Sequence, residues 1–162
     1  MAENTCLYPG SFDPVTLGHM DVITRLSGMY EKVYVGILVN PDKCGLFTAE
    51  ERKTMLEEAC GKLKNVEVVV WNGLAVELLK KLGIRVIARG VRGAGEFESE
   101  AAMSQLNHAL WPEAETVFLA ASPEKTNISS SAVRQIMSFG GDISAFVPVF
   151  VKKAMERKFG TI

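Results

Sequence analysis

Four nearly continuous apolar runs constrain the fold of this chain more than any other feature of its sequence. They lie at residues 32–39, 66–71, 86–88 and 117–120, and a shorter apolar stretch at residues 6–8 precedes them. Apolar runs without alternation are typical of strands that are covered on both faces, as in a parallel sheet. The runs therefore predict parallel strands with other elements packed against both sides of the sheet.

Amphipathic segments separate the predicted strands. Helical apolar spacing begins at Gly18 and His19, and the tetrapeptide Thr-Ala-Glu-Glu at residues 48–51 is a capping box that opens a second helix. Later helices are predicted at residues 74–82, 98–110, 130–138 and 149–158. This alternation predicts an α/β fold, namely a Rossmann-like, doubly wound, five-stranded parallel sheet with C-terminal helices. Ligands of such sheets bind beyond the carboxyl ends of the strands, at the switch point.

Length and composition exclude several classes of protein. The chain of 162 residues predicts a single domain over residues 1–162, and a net charge of −1 argues against general attraction to nucleic acid. No apolar run approaches the length of a membrane span and the N-terminus is polar, so we expect a cytoplasmic protein without a signal peptide. Cys6, Cys44 and Cys60 are widely spaced, which favours reduced thiols over a disulfide or zinc framework, with Cys6 and Cys60 in or near the core.

The segment between the first strand and the first helix carries phosphate-binding chemistry. Pro-Gly at residues 9–10 predicts a turn, and His19 falls in the first helical turn, where free backbone N–H groups attract anions. Ser11 and Thr16 add hydroxyl groups, and Thr16 is a candidate N-cap. The imidazole can donate a hydrogen bond and, if protonated, add a positive charge. An ordinary turn whose histidine caps the helix stays open as the alternative.

Three later strand ends add cationic or hydroxyl groups. Lys43 follows the second strand, Arg89 and Arg92 lie in a glycine-rich stretch after the fourth, and serines at residues 129–131 open the helix after the fifth. Each signal alone has an ordinary explanation as exposed charge or as an N-cap. Because the fold brings the strand ends to one edge of the sheet, we expect the groups to surround a triphosphate and a second phosphate.

In these motifs the chain resembles the nucleotidyltransferases that carry an (H/T)xGH motif, and among them the bacterial phosphopantetheine adenylyltransferases. The resemblance rests on PGSFDPxTxGH, FTxEER, RGxR, FE and ISSS followed by a basic residue, at residues 9–19, 47–52, 89–92, 97–98 and 128–134. It implies conversion of ATP and 4′-phosphopantetheine to dephospho-coenzyme A and pyrophosphate with Mg²⁺, the penultimate step of coenzyme A synthesis. It also implies a homohexamer and feedback inhibition by coenzyme A.

The same resemblance implies residues that bind the acceptor substrate. Ser11 and Lys43 would hold the attacking phosphate of phosphopantetheine. Arg89 and the backbone at Leu74 and Ala75 would position the same substrate and its arm.

The resemblance further implies the nucleotide contacts, with His19, Lys43 and Arg92 as the catalytic residues. His19 would contact the α-phosphate of ATP and stabilise the transition state, whereas Arg92, Ser130 and Ser131 would take the β- and γ-phosphates. The other implied ATP contacts are Ser11, Phe12, Gly90, Val91, Glu100, Lys125, Thr126, Asn127, Ile128 and Ser129. Relatives often carry aromatic residues at the positions of Ser99, Lys125 and Asn127.

The residues also bear on mechanism and on the alternatives. A phosphate oxygen is already an anion, so we expect direct in-line transfer without a general base or a covalent intermediate. No carboxylate cluster marks a protein metal cage, so Mg²⁺ is expected to be held mainly by phosphates and water. A nicotinamide-mononucleotide adenylyltransferase, a cytidylyltransferase and a non-catalytic nucleotide sensor stay open. We expect His108 to be structural or at the surface.

Overall fold

A parallel sheet of five strands forms the centre of the computed structural model, which describes residues 4–160. The strands are β1 Thr5–Gly10, β2 Lys32–Val39, β3 Val66–Asn72, β4 Val86–Val91 and β5 Glu115–Ala120. They lie in the order β3-β2-β1-β4-β5, so the chain builds outward from β1 to β3 and then crosses back to β4. This reversal makes the β1–β4 boundary the switch point of a doubly wound sheet and confirms the predicted fold class.

Helices follow each strand. The described residues form α1 Leu17–Met29, α2 Ala49–Cys60, α3 Ala75–Leu82, α4 Ala94–Leu110, the 3-10 helix Pro123–Lys125, α5 Ser130–Ser138 and α6 Val149–Phe159. Thr16 caps α1 and Thr48 caps α2, as predicted. Helix α3 ends at Gly83, whose φ of 69° lies in the left-handed region that glycine adopts without steric cost.

The sheet is covered on both faces because successive side chains of a strand point to opposite sides. Cys6 and Tyr8 belong to the larger core cluster, which includes residues of α1, α2, α5 and α6, whereas Leu7 belongs to a second cluster with α3. Cys6 and Cys60 are buried free thiols, as predicted, and Cys44 is exposed. Within the described residues, none of the helices has the length and apolarity that a membrane crossing requires.

The turn predicted at Pro9 and Gly10 is wrong, because both residues continue β1. Pro9 pairs with Gly36 of β2, and Gly10 pairs with the next residue of β2. On the other side, β1 pairs with β4 only at Cys6 and Leu7. Pro9 therefore lies beyond that ladder, where its missing N–H removes no strand-to-strand hydrogen bond with β4.

The glycine-rich loop predicted around Arg89 is also wrong, because β4 runs through Val91. Helix α4 then begins at Ala94 rather than at residue 98. Glu96 in the first turn of this helix accepts a hydrogen bond from the backbone N–H of Arg92 at 2.7 Å. This contact satisfies a backbone donor at the helix start and favours the early beginning of α4.

Candidate active site

The switch point between β1 and β4 opens into a cavity of about 220 Å³. Its walls come from β1, the β1–α1 loop, α1, β4, α4 and the segment that leads into α5. Many of the residues that the sequence singled out line this one cavity: Ser11, Phe12, His19, Arg89, Gly90, Arg92, Glu100, Lys125, Ile128, Ser129 and Ser130.

The other predicted residues lie outside this lining. Lys43 is exposed in the loop after β2, and Leu74 and Ala75 begin α3 after the edge strand β3, so all three lie at strand ends on the far side of β1 from β4. Neighbouring strands are about 4.8 Å apart, which separates the end of β3 from the switch point by two strand spacings. Lys43 therefore does not line this cavity with the other cationic groups, and the roles of Lys43, Leu74 and Ala75 stay predictions. Also outside are Val91, Thr126, Asn127 and Ser131.

His19 is held in one tautomer by the start of α1. The backbone N–H of Thr16 donates to Nδ1 of His19 at 3.1 Å, while the Thr16 hydroxyl accepts from the backbone N–H of His19 at 3.2 Å. Because a backbone N–H can only donate, Nδ1 must be the acceptor and the ring proton resides on Nε2. The ring also packs edge-on against Phe12, with centroids 4.9 Å apart.

The environment of His19 keeps the imidazole neutral. Burial, reinforced by the positive charges of Arg92 and Arg89, lowers its pKa to about 4. The free chain therefore presents a neutral Nε2–H donor rather than the protonated ring that the sequence also allowed. The same arginines attract an anionic ligand, whose charge would bring the imidazole pKa back up.

Arg89 is fixed by contacts that the sequence did not reveal. Its Nε and Nη2 donate to the Glu100 carboxylate at 2.7 and 2.6 Å, and its Nη1 donates to the carbonyl of Pro9. This fork-to-fork geometry is the strong form of an arginine–carboxylate pair. Glu100, predicted to contact ATP, thus orients Arg89 across the switch point.

Arg92 is paired in the same way with Glu96, a cavity residue that the sequence analysis missed. Nη2 and Nε of Arg92 lie 2.5 and 3.1 Å from Oε1 of Glu96, and Nη1 donates to the carbonyl of Ile128 at 3.2 Å. The hydrogen bonds from Arg92 lower the pKa of Glu96. Arg92 precedes α4 and Glu96 lies in its first turn, so the pair joins the end of β4 to the start of that helix. A glutamate four residues after Arg92 was the signal in the sequence that could have pointed to this pair.

The starts of α1 and α5 approach each other across the cavity. A Cβ atom on Gly18 would lie 3.2 Å from the carbonyl oxygen of Ile128, so any larger residue there would push the two helix starts apart by a few tenths of an ångström. Ser129 caps α5 by accepting from the N–H of Ala132 at 3.1 Å, and the Ser130 hydroxyl donates to the carbonyl of Pro14 at 2.8 Å. Two helix N-termini consequently converge on one space.

The cavity is chemically suited to a polyphosphate. Arg89, Arg92 and Lys125 outnumber the carboxylates of Glu96 and Glu100 along its walls. Helix N-termini and a neutral N–H donor add fixed partial positive charge without a nucleophile or a general base. His108 lies elsewhere, exposed on α4 with Nδ1 at 3.3 Å from the carbonyl of Ala114.

The fold and this cavity together define a protein of the nucleotidyltransferase class. The family model described as cytidylyltransferase-like matches residues 7–136. A solved structure from Vibrio parahaemolyticus, assigned as a nicotinate-nucleotide adenylyltransferase, superposes with a TM-score of 0.71 over 96% of this chain and 92% of its own, at 16% identity. That similarity concerns the fold alone.

Relatives that are similar in sequence identify the family more narrowly than the similarity of fold does. The phosphopantetheine adenylyltransferase of Lachnoclostridium phytofermentans is 46% identical over 94% of each chain. That of Heliobacterium modesticaldum is 43% identical over 95% of this chain and 92% of its own. That of Bdellovibrio bacteriovorus is 45% identical over 94% of this chain and 95% of its own. The chain therefore belongs to the cytidylyltransferase-like family and, within it, to the phosphopantetheine adenylyltransferases.

Proposed function

We propose that this protein transfers the adenylyl group of ATP to 4′-phosphopantetheine, giving dephospho-coenzyme A and pyrophosphate. One observation carries the proposal: in a chain 43–46% identical to phosphopantetheine adenylyltransferases over nearly its full length, His19 is a neutral donor between two arginines and two helix N-termini. Such a site stabilises charge at a phosphorus centre. It needs no base, because the attacking phosphate is already ionised at neutral pH.

The transfer is a direct in-line displacement. A phosphate oxygen of phosphopantetheine attacks the α-phosphorus of ATP, and the bond from that phosphorus to the bridging oxygen of the β-phosphate breaks. The Nε2–H of His19 donates to a non-bridging α-phosphate oxygen, where negative charge develops. Arg92 and the N-terminus of α5 at Ser130 and Ser131 hold the departing pyrophosphate.

The acceptor lies on the other side of His19, toward β2 and β3. Ser11, exposed on the β1–α1 loop, and Lys43, exposed after β2, hold the attacking phosphate. Arg89 faces the same phosphate, while Leu74 and Ala75, at the start of α3, contact the pantetheine arm. Lys43 does not line the cavity of the free chain, so its loop has to approach when the acceptor binds.

The chemistry of the site fits a magnesium ion that enters with the nucleotide. Among residues 4–160, no three or more His, Cys, Asp or Glu side chains are grouped to hold a metal. Glu96 and Glu100, the carboxylates at the cavity, are already paired with arginines. Phosphate oxygens and water would be the ligands of Mg²⁺, and the ion would supply charge neutralisation at the polyphosphate.

The surface of α4 supports self-association, and we propose the homohexamer that the family resemblance implies. No residue of this helix is buried, and Met103, Leu106 and Leu110 are 53–59% exposed on one face. An apolar stripe of this kind on an isolated chain is typical of an interface. Coenzyme A, which contains the product's phosphopantetheine and adenylate parts, would compete at the active site as a feedback inhibitor in the cytoplasm.

A pyrophosphate-release assay tests the proposed function. The intact chain, ATP and Mg²⁺ are incubated with phosphopantetheine, and matched reactions contain nicotinamide mononucleotide, or CTP in place of ATP. We expect release only with ATP and phosphopantetheine together. Release with nicotinamide mononucleotide or with CTP would favour the related transferases, whereas nucleotide binding without release in any mixture would favour a nucleotide sensor.

A further inference from the structure

We propose that Asp13 is a positioning residue that fixes the Lys43 loop, residues 40–47, against the β1–α1 loop and so governs binding of the acceptor phosphate. The inference rests on the proposed function, because it assigns Lys43 to that phosphate. It also gives a role to the FTxEER motif at residues 47–52, to which the mechanism assigns none.

The carboxylate of Asp13 anchors the far end of the Lys43 loop. Oδ2 accepts a hydrogen bond from the backbone N–H of Leu46 at 2.7 Å, and Oδ1 accepts from that of Phe47 at 2.9 Å. Asp13 is 7% exposed, so these bonds replace water around a buried charge. Gly45 packs so closely that an added Cβ would lie 3.0 Å from Oδ2 of Asp13.

Two arginines brace the backbone of the β1–α1 loop on either side of this anchor. Nη1 of Arg52, in α2, donates to the carbonyl of Ser11 at 2.9 Å, and its Nε donates to the carbonyl of Thr48 at 3.3 Å. Nη1 of Arg134, in α5, donates to the carbonyl of Asp13 at 2.5 Å. These contacts join the loop that carries Ser11 to the C-terminal end of the loop that carries Lys43 and to the start of α2, and they leave Lys43 itself free to approach the acceptor.

The nucleotide side has a separate tether of the same kind, which provides a matched control. Asp21, in α1, accepts from the hydroxyl of Ser122 at 2.8 Å and from the Ser122 backbone N–H at 3.3 Å. Ser122 opens the segment that continues to Lys125 and Ser130. Asp13 thus holds the strand-end loop on the acceptor side of His19, and Asp21 holds the one on the nucleotide side.

An asparagine at either position breaks its tether without changing the size of the side chain. The carboxamide has one oxygen acceptor, so in the Asp13→Asn variant its NH₂ group faces the N–H of Leu46 or Phe47. Losing a charge-assisted bond to a buried backbone donor releases the loop. We expect the dissociation constant for phosphopantetheine to rise about tenfold in Asp13→Asn, while that for ATP changes less than about threefold. Asp21→Asn should give the opposite pattern.

Calorimetric titrations of the intact chain with phosphopantetheine and with ATP measure both constants, and combination with Lys43→Ala tests the route of the effect. If Asp13 acts by placing Lys43, then Asp13→Asn/Lys43→Ala should bind phosphopantetheine within about twofold of Lys43→Ala alone. Full additivity of the two substitutions would overturn the inference. Equal weakening of ATP and phosphopantetheine by Asp13→Asn would overturn it too, because that pattern indicates general loss of structure.

Gly45→Ala keeps the inference testable if Asp13→Asn fails to fold. It leaves Asp13 intact and, through the 3.0 Å contact, pushes the exposed loop away from the carboxylate. We expect the same selective loss of phosphopantetheine affinity, and unchanged affinity in a folded Gly45→Ala chain would contradict it. Wild-type turnover is measured separately. Absence of turnover refutes the proposed function, whereas normal turnover with unaltered phosphopantetheine binding in Asp13→Asn refutes only the coupling.

Discussion

His19 has two roles, helix capping and charge stabilisation, and both are lost when the side chain is removed. His19→Ala removes the Nε2–H that faces the reacting phosphate and the Nδ1 that accepts from Thr16. Loss of one preorganised donor to a developing oxyanion costs about 100- to 1000-fold in kcat, or about 3–4 kcal/mol. Loss of the capping acceptor should cost about 1 kcal/mol of unfolding free energy.

The variant His19→Gln discriminates between these effects. Its side-chain oxygen can accept from the backbone N–H of Thr16, while its NH₂ group donates toward the position of the imidazole Nε2. Because the structure assigns His19 as a neutral donor, we expect His19→Gln to retain more kcat than His19→Ala, by about tenfold or more. Thr16→Ala, which removes the cap hydroxyl but leaves the imidazole, should lower stability by about 1 kcal/mol with a smaller effect on kcat.

The measurement is pyrophosphate release at saturating ATP and phosphopantetheine, together with ATP affinity and thermal unfolding of each variant. At limiting substrate, the ratio of wild-type to His19→Gln kcat/KM should also stay constant between pH 6 and 8, because kcat/KM reports ionisation of the free chain, in which the pKa of His19 lies at about 4. A folded His19→Ala variant with near-normal kcat would refute the role of the donor. A rate ratio that rises toward low pH would indicate that a protonated imidazole is the active form.

Two further predictions concern charge. Glu96→Gln frees the guanidinium of Arg92 and should strengthen the binding of free pyrophosphate, measured by calorimetry, several-fold. Glu113→Gln, at the surface pair of Arg85 and Glu113, is the control and should leave pyrophosphate binding unchanged. Equal effects of the two substitutions would show that release of Arg92 does not cause the change. The depressed pKa of His19 stabilises the fold fully above about pH 6.5, and this contribution falls as the pH drops toward 4, because the unfolded chain then binds a proton that the folded chain excludes. Urea unfolding should show wild type losing stability relative to His19→Gln across that interval, and parallel curves would contradict the assignment.

Where the local signal is unambiguous, the sequence predicts the first and last residues of an element correctly. Strand β2, Lys32–Val39, is a nearly uninterrupted apolar run, and α5, Ser130–Ser138, follows a run of serines that supplies its N-cap. The errors at Pro9 and at the start of α4 have a different origin. Pairing with β2 keeps Pro9 in the sheet, and Glu96 stabilises an earlier start of α4. The contact of Pro9 is long-range and absent from the local pattern, whereas that of Glu96 spans only four residues and is present in it.

The candidate site also has parts that the sequence predicts and parts that depend on tertiary contacts. Cationic and hydroxyl groups at strand ends were predictable because parallel strands place those ends at one edge. The pairing of Arg89 with Glu100 depends on how α4 packs beside β4, which the motif alone does not define. The position of Lys43 outside the cavity depends on the course of residues 40–47, whose C-terminal end is held by the buried carboxylate of Asp13.

The distribution of thiols has a practical consequence for following the Lys43 loop in solution. Burial raises the pKa of Cys6 to about 12 and that of Cys60 to about 11, so neither supplies a reactive thiolate at neutral pH. Cys44, next to Lys43, is exposed. A maleimide fluorophore added to the unaltered chain should therefore attach at that one residue, giving a reporter of acceptor binding without any engineered cysteine.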